Sequence, residues 1–256
     1  MNNGGRKRRE LPTLAKIPGV KFDIEKLREE AKRMSEQWAN VYQANRGLCA
    51  VHEELAADNY HHFDQITLTY FEESLNEMED ITQLKQECKI IASSDSLGET
   101  KHAKYRTKTR VLDGLPAPMN EHNWHHPLPV YQGSYIQQAI ESQFGATPIR
   151  VRLTRIRAGS PGLSKHMDYD TVYAIRVIVP IDGTDGVYNH FWRQGEKKTF
   201  ALEPDGSAYF LNVGFAHAVE HTGNEDRIAL MFSLPTQEDI ESLGVDDDIP
   251  QINDVD

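Results

Sequence analysis

Apolar residues recur at three- and four-residue spacing through Ile24, Leu27, Ala31, Met34, Trp38 and Val41. Asp23 stands just before them, where its carboxylate can accept the free N–H groups of a first turn. This pattern predicts an amphipathic helix running to about Asn45 and Gly47. A short β-prone run at residues 66–71 precedes a second amphipathic stretch at 81–91, after which 93–108 is polar and loop-like. Residues 111–131 form a proline-rich connection carrying His122, Trp124, His125 and His126. It leads to a helix capped by Ser134, with Ile136, Ile140 and Phe144 on one face and Gly145 as its stop.

Beyond Pro148 the period changes from helical to alternating. Residues 149–156, 172–181, 198–202, 207–213 and 227–234 are short β-prone runs, separated by turn-forming segments at 158–162, 182–186 and 204–206. Short strands at this spacing predict a mainly β fold with flanking α-helices. The expected architecture is a jelly roll of the cupin-like, double-stranded β-helix type with helices packed outside. No internal repeat is evident.

Composition narrows the class. A chain of 256 residues with 39% hydrophobic and 26% charged residues can bury one full core, so a single domain is expected. No run of 18 apolar residues occurs, and residues 1–10 are polar and basic, so neither a membrane span nor a secretory signal is expected and a cytoplasmic location is inferred. Cys49 and Cys88 are far apart and outside any CxxC spacing, which points to reduced structural thiols. Of the formal net charge of -11, eight negative charges fall at Glu238, Asp239, Glu241, Asp246, Asp247, Asp248, Asp254 and Asp256, with no Lys or Arg among them. That end reads as a helical turn trailing into a solvated acidic tail. The basic cluster of Arg6, Lys7, Arg8 and Arg9 is too short to indicate nucleic-acid binding.

The chemistry concentrates in four residues. His166 and Asp168, two apart, share a side if extended, and a distant His217 can supply a third ligand to one ion. Two imidazoles and a carboxylate without thiolates suit Fe(II) and leave positions open for O2 and a chelating co-substrate. Arg227, ten residues beyond His217 and at the head of an apolar run, can hold a carboxylate through two parallel hydrogen bonds. His221 shares the strand parity of His217 and competes with it for the same role; the one not used as a ligand would be a wall or hydrogen-bonding residue. The group His122, His125 and His126 has no acidic or thiolate partner and reads as a polar, aromatic loop. His61 and His62 read as surface residues. Arg152 and Arg176 alternate with apolar residues and either face the cavity, holding a substrate or co-substrate carboxylate, or sit on the outer sheet face in ion pairs. Trp124 and His126 are candidates for a substrate lid. Residues 1–22 are expected as a flexible basic N-terminus, 23–234 as a single catalytic domain (23–147 largely helix and loop, 148–234 the jelly-roll core) and 235–256 as the acidic C-terminal tail.

Residues 152–169, RLTRIRAGSPGLSKHMDY, and 205–233, DGSAYFLNVGFAHAVEHTGNEDRIALMFS, resemble the aspartyl/asparaginyl β-hydroxylase-like family of Fe(II)- and 2-oxoglutarate-dependent oxygenases, which includes hydroxylases of free proline. In that family the distal iron histidine typically precedes the 2-oxoglutarate arginine by ten residues, the spacing of His217 and Arg227, so the resemblance favours His217 over His221 as the ligand. The resemblance implies Fe(II) on His166, Asp168 and His217, with 2-oxoglutarate on Arg227 and O2 as second co-substrate. It implies hydroxylation of an unactivated C–H bond with release of succinate and CO2. The presence of Asp168 argues against halogenation, which needs that position vacant. The expected substrate is a small amino acid, proline-like or otherwise, with an Asp or Asn side chain of a peptide or protein as the alternative. A cupin-type metal-binding protein without oxygenase activity would need no Arg227, and a pure interaction module would need no His166.

Overall fold

The computed structural model describes residues 10–40, 62–71, 122 and 124–252. In chain order its elements are β1 (Leu14–Lys21), helix α1 (Ile24–Arg33), β2 (Ala39–Asn40), β3 (Phe63–Thr67), β4 (Thr69–Phe71), β5 (Trp124–Pro127), α2 (Tyr135–Gln143), β6 (Ile149–Ile156), β7 (Gly162–His166), β8 (Ile175–Asp182), β9 (Val187–Arg193), β10 (Glu196–Phe200), β11 (Ser207–Leu211), β12 (Ala216–His221), β13 (Arg227–Leu234) and α3 (Glu238–Ser242). The larger sheet has the order β1-β11-β8-β13-β6-β3-β2, the smaller β10-β9-β12-β7, and β4 pairs with β5 in a separate ribbon. From β6 onward the chain alternates between the two main sheets, with one hairpin, β9–β10, inside the smaller. Eight strands wound this way form a double-stranded β-helix, the expected fold.

Alternation along the strands separates two apolar layers. Val177, Val179 and Ile181 of β8 and Leu230, Phe232 and Leu234 of β13 face outward into one cluster with Leu27, Ala31 and Met34 of the α1 segment and Ile136 and Ile140 of α2. Ile178, Ala229 and Met231 face inward, with Tyr169, Phe191, Phe200 and Leu211, between the sheets. β8 and β13 are therefore covered on both faces, and any polar side chain at an inward position needs a partner or a ligand.

Several elements differ from the sequence expectations. The first helix stops at Arg33, and Ala39 and Asn40 leave it to pair with Gln65 and Asp64 as an edge strand. Trp38, expected on the helix, instead lies under the Arg155 guanidinium, 4.7 Å from its ring centre. Residues 14–21, expected within a flexible terminus, form β1, with Leu14 opposite Leu211 and Ala15 opposite Phe210. Burial of Leu14, Ile17 and Val20 holds it there. The run at 66–71 divides at Leu68, whose N–H donates to the Val151 carbonyl while its own carbonyl accepts from Leu128. Trp124–Pro127 is a strand rather than open loop.

The acidic tail is also docked as far as it is described. Ile240 and Val245 are buried, and Asp239 accepts from the Gly145 and Ala146 N–H groups after α2. Asp248 accepts from the backbone N–H groups of Thr13 and Leu14 and from Lys198 at 2.8 Å. These carboxylates satisfy backbone donors instead of only facing solvent. The predicted elements at 81–91 and 93–108, both cysteines, His61 and the basic cluster at 6–9 lie outside the described residues; His62 is exposed.

Candidate metal centre and its arginine-lined cavity

β7 and β12 lie side by side with His166 directly opposite His217. Close approach of these strands requires a glycine. Gly162 has φ +91°, and a Cβ there would stand 1.9 Å from the Val219 carbonyl oxygen. Two residues past His166, Asp168 is fixed by its N–H donating to the Val213 carbonyl at 3.0 Å. One nitrogen from each histidine and one carboxylate oxygen of Asp168 all lie within 4.8 Å of one another.

Backbone contacts orient both rings. His166 Nδ1 lies 2.7 Å from the Ser164 carbonyl oxygen and His217 Nδ1 lies 3.0 Å from that of Phe215. A carbonyl only accepts, so each Nδ1 carries a proton and each Nε2 is the nitrogen turned toward Asp168. These nitrogens flank the carboxylate, His166 Nε2 3.9 Å from Asp168 Oδ1 and His217 Nε2 3.9 Å from Oδ2. Burial, reinforced by neighbouring His166, depresses the His217 pKa to about 4, so the ring is neutral at physiological pH. Phe191 stacks on it with ring centres 5.6 Å apart. Asp168 Oδ1 is buried without a hydrogen-bond partner, a costly state unless a cation completes it. Two oriented nitrogen donors and an orphaned carboxylate oxygen fit a divalent metal with open coordination positions.

The adjoining cavity is lined by this triad, by Gln65 and Asn189, and by Arg150, Arg152, Arg176 and Arg227. Asp168 is the only carboxylate in the described lining. All four arginines are at most 4% exposed. Arg152, Arg176 and Arg227 enter from the inward positions of β6, β8 and β13. Arg176 Nε donates to the Tyr169 hydroxyl at 2.8 Å, that hydroxyl lies 2.8 Å from Ser233 Oγ, and Arg176 Nη2 is 4.0 Å from Asp168 Oδ2. Arg227 makes no side-chain hydrogen bond or ion pair among the described residues. Burial alone pushes its pKa down to about 10, which still leaves it charged at neutral pH.

Other candidates lie elsewhere. His221 is also on β12, but its Nδ1 faces the Arg157 carbonyl at 3.2 Å and it does not join the triad. Trp124 is buried on β5, and His126 stacks against Tyr70 and His125. Neither lines the cavity. His122 Nε2 lies 2.7 Å from the Tyr173 carbonyl oxygen, and the Tyr173 ring packs on Tyr169. Arg150 was not anticipated. Met231 pairs with Arg152 but Ser233 pairs with Ile149, so β6 carries an extra residue there, and Arg150 has a left-handed φ of 53°. The Ile149–Ile156 alternation already put residue 150 in phase with 152; the bulge was the hidden part.

Fold and site together define a double-stranded β-helix in which two histidines and one carboxylate that could hold a metal ion stand beside a cationic cavity. No protein-family model matches the chain, and no curated protein does. Among solved structures it is similar to a Pseudomonas putida prolyl-4-hydroxylase, at 10% identity over 88% of this chain and 93% of that one, with a TM-score of 0.42. It is also similar to JOX2 in complex with 2OG, Fe and JA, at 12% identity over 90% of this chain and 69% of that one, with a TM-score of 0.39. A 2OG-Fe(II) oxygenase family oxidoreductase from Burkholderia pseudomallei matches at 16% identity and a TM-score of 0.32, over 42% of this chain and 58% of its own length. No helix among the described residues is long and apolar enough to cross a membrane.

Proposed function

We propose that the protein is an Fe(II)- and 2-oxoglutarate-dependent dioxygenase of the aspartyl/asparaginyl β-hydroxylase-like kind, hydroxylating an unactivated C–H bond of a small amino-acid-like substrate. The observation that carries this reading is Arg227, a buried guanidinium without a side-chain partner among the described residues, in the cavity beside the His166, Asp168 and His217 cluster. A buried unpaired charge costs several kcal/mol, and a dicarboxylate co-substrate offsets that cost while it delivers its other end toward the metal. His166, Asp168 and His217 would hold the iron. Bound iron supplies the oxidation of 2-oxoglutarate by O2 to succinate and CO2, coupled to hydroxylation. The chain's own part is binding and exclusion. His166 and His217 keep Nε2 turned toward the metal position because their Nδ1 atoms donate to backbone carbonyls, Arg227 orients the co-substrate, and Phe191 closes the wall behind His217.

The arginine-lined cavity favours a free small molecule bearing an acid group over a side chain on a protein surface. The test is succinate formation by the anaerobically reconstituted Fe(II) protein on exposure to air, across free amino acids and short peptides. Substrate-stimulated turnover that disappears in His166→Ala supports the reading. Absence of 2-oxoglutarate consumption with Fe(II) bound overturns it and favours a metal-binding protein without oxygenase activity.

A further inference from the structure

β9 carries a polar residue into the cavity. On its outward face His190 is 4% exposed and held from both neighbouring strands, Nδ1 3.0 Å from Thr199 Oγ1 on β10 and Nε2 2.8 Å from Glu220 Oε2 on β12. These contacts fix the phase of the strand, so Asn189 and Phe191, on either side of His190, face inward, and both line the cavity. Phe191 stacks on His217. Asn189 is 3% exposed and makes no side-chain hydrogen bond among the described residues. A buried amide in that state is costly until a ligand supplies its partner.

Asn189 stands level with Arg227 across the sandwich. In the smaller sheet it lies opposite Val219, and in the larger sheet Arg227 lies opposite Ile156. Val219 packs against the pair formed by Ile156 and Phe63, so Asn189 and Arg227 flank one apolar contact between the sheets. Facing sheets are about 10 Å apart, a gap that an arginine from one side and an asparagine from the other can close around a single small group. Val219 is also one inward step, about 7 Å, from His217 along β12. An acid that spans the metal ligands and Arg227 therefore runs past the Asn189 amide.

We propose that Asn189 is a binding residue for the co-substrate, its side-chain NH2 donating to the same distal carboxylate that Arg227 holds. This deepens the reading above and rests on it for placing 2-oxoglutarate at Arg227. One carboxylate is then gripped by a cation from the larger sheet and by a neutral amide from the smaller. A carboxylate has about four lone-pair sites, and a guanidinium fork occupies two of them, which leaves room for the amide. A neutral donor adds its bond without the repulsion that a second cation beside Arg227 would bring.

The test is calorimetric titration of the metal-free protein with 2-oxoglutarate, paired with urea denaturation of the same ligand-free preparations. Asn189→Leu, close to asparagine in volume, weakens 2-oxoglutarate binding about tenfold while its urea midpoint stays level or rises. Asn189→Ala shows the same loss of affinity and serves where the leucine does not pack. Asn189→Asp places a carboxylate against Arg227, so it raises the urea midpoint in the wild-type background and lowers it in Arg227→Met, where the new charge has no partner. The same aspartate reduces 2-oxoglutarate affinity at least about a hundredfold, since it repels the ligand and occupies its arginine. Binding within twofold of wild type in both Asn189→Leu and Asn189→Ala overturns the proposal. So does an Asn189→Asp midpoint that falls equally in the two backgrounds, because Asn189 and Arg227 would then not share a ligand. A loss of affinity accompanied by a lower midpoint in every Asn189 variant assigns the residue to the fold and overturns it as well. Wild-type protein that binds no 2-oxoglutarate removes the co-substrate reading and this proposal together, whereas binding that depends on Arg227 but not on Asn189 removes this proposal alone.

Discussion

Replacing Arg227 with Met should make the ligand-free protein more stable while removing its co-substrate. The guanidinium is 3% exposed, and burial is the sole cause that lowers its pKa from 12.5 to about 10. At about 1.4 kcal/mol per tenfold change in equilibrium, the charged form is disfavoured in the fold by roughly 3 kcal/mol. Methionine fills similar space without charge, and exchanging a buried charge for a packed apolar residue typically gains about 1–4 kcal/mol. The gain should appear as a higher urea midpoint with an unchanged m-value. Truncating one partner of a buried charge pair costs roughly 2–5 kcal/mol of binding, so 2-oxoglutarate affinity should fall by about 30-fold to several thousandfold. Urea denaturation and 2-oxoglutarate titration of the same preparation measure both effects. A variant destabilised by more than about 2 kcal/mol would refute the reasoning, because it would mean that Arg227 has a structural partner in the folded chain.

Three further outcomes follow from the geometry. His217 is neutral in the fold because burial holds its pKa near 4 rather than 6.5, so between these values the unfolded chain binds a proton that the folded metal-free protein does not. Stability is full above pH 6.5 and falls by up to roughly 3 kcal/mol as the pH drops toward 4, and His217→Gln should flatten that limb of the denaturation profile. Asp64 is completely buried and bonded to both Arg155 and Arg157. Burial alone would raise its pKa, but hydrogen bonds from Arg157, Asn40 and Arg155 outweigh it and hold the carboxyl below the usual range. Its contribution is present above pH 3.8 and lost as the pH falls through the lower folded value, and Asp64→Asn should cost roughly 3 kcal/mol by chemical denaturation at pH 7. Gly162→Ala places a methyl 1.9 Å from the Val219 carbonyl, so β7 must separate from β12. Metal affinity measured by dialysis should drop at least about tenfold, and an unaffected affinity would show that this crossing does not set the His166–His217 distance.

The elements legible in the sequence were those whose apolar residues recur regularly between turn-forming or capping residues. β6 and β13 coincide with their predicted bounds because both alternate cleanly and end at turn residues, and α2 follows from Ser134, its apolar face and Gly145. β7, β9 and β12 were missed as strands. Their sequences GLSKH, VYNHFWR and AHAVEH carry the candidate ligands His166 and His217 or polar groups such as Asn189 and His190 in place of an apolar alternation. β1 was hidden by Pro18 and Gly19, which interrupt its register between Lys16 and Lys21 without ending the strand. In the site, His166 and Asp168 were legible because their relation is local. His217 was separable from His221 only through its distance from Arg227, since both share a parity on β12; what divides them in space is the Arg157 carbonyl that takes His221. The inward direction of Arg152 and Arg176 depends on which face of the larger sheet the helices cover, and that is a tertiary fact.

The most direct measurement is anaerobic equilibrium dialysis of the protein against Fe(II) and labelled 2-oxoglutarate, in wild type, His166→Ala and Arg227→Met. The account predicts equimolar uptake of both by wild type, loss of iron in His166→Ala, and retention of iron with loss of 2-oxoglutarate in Arg227→Met. Iron retained by His166→Ala, or 2-oxoglutarate retained by Arg227→Met, would contradict it.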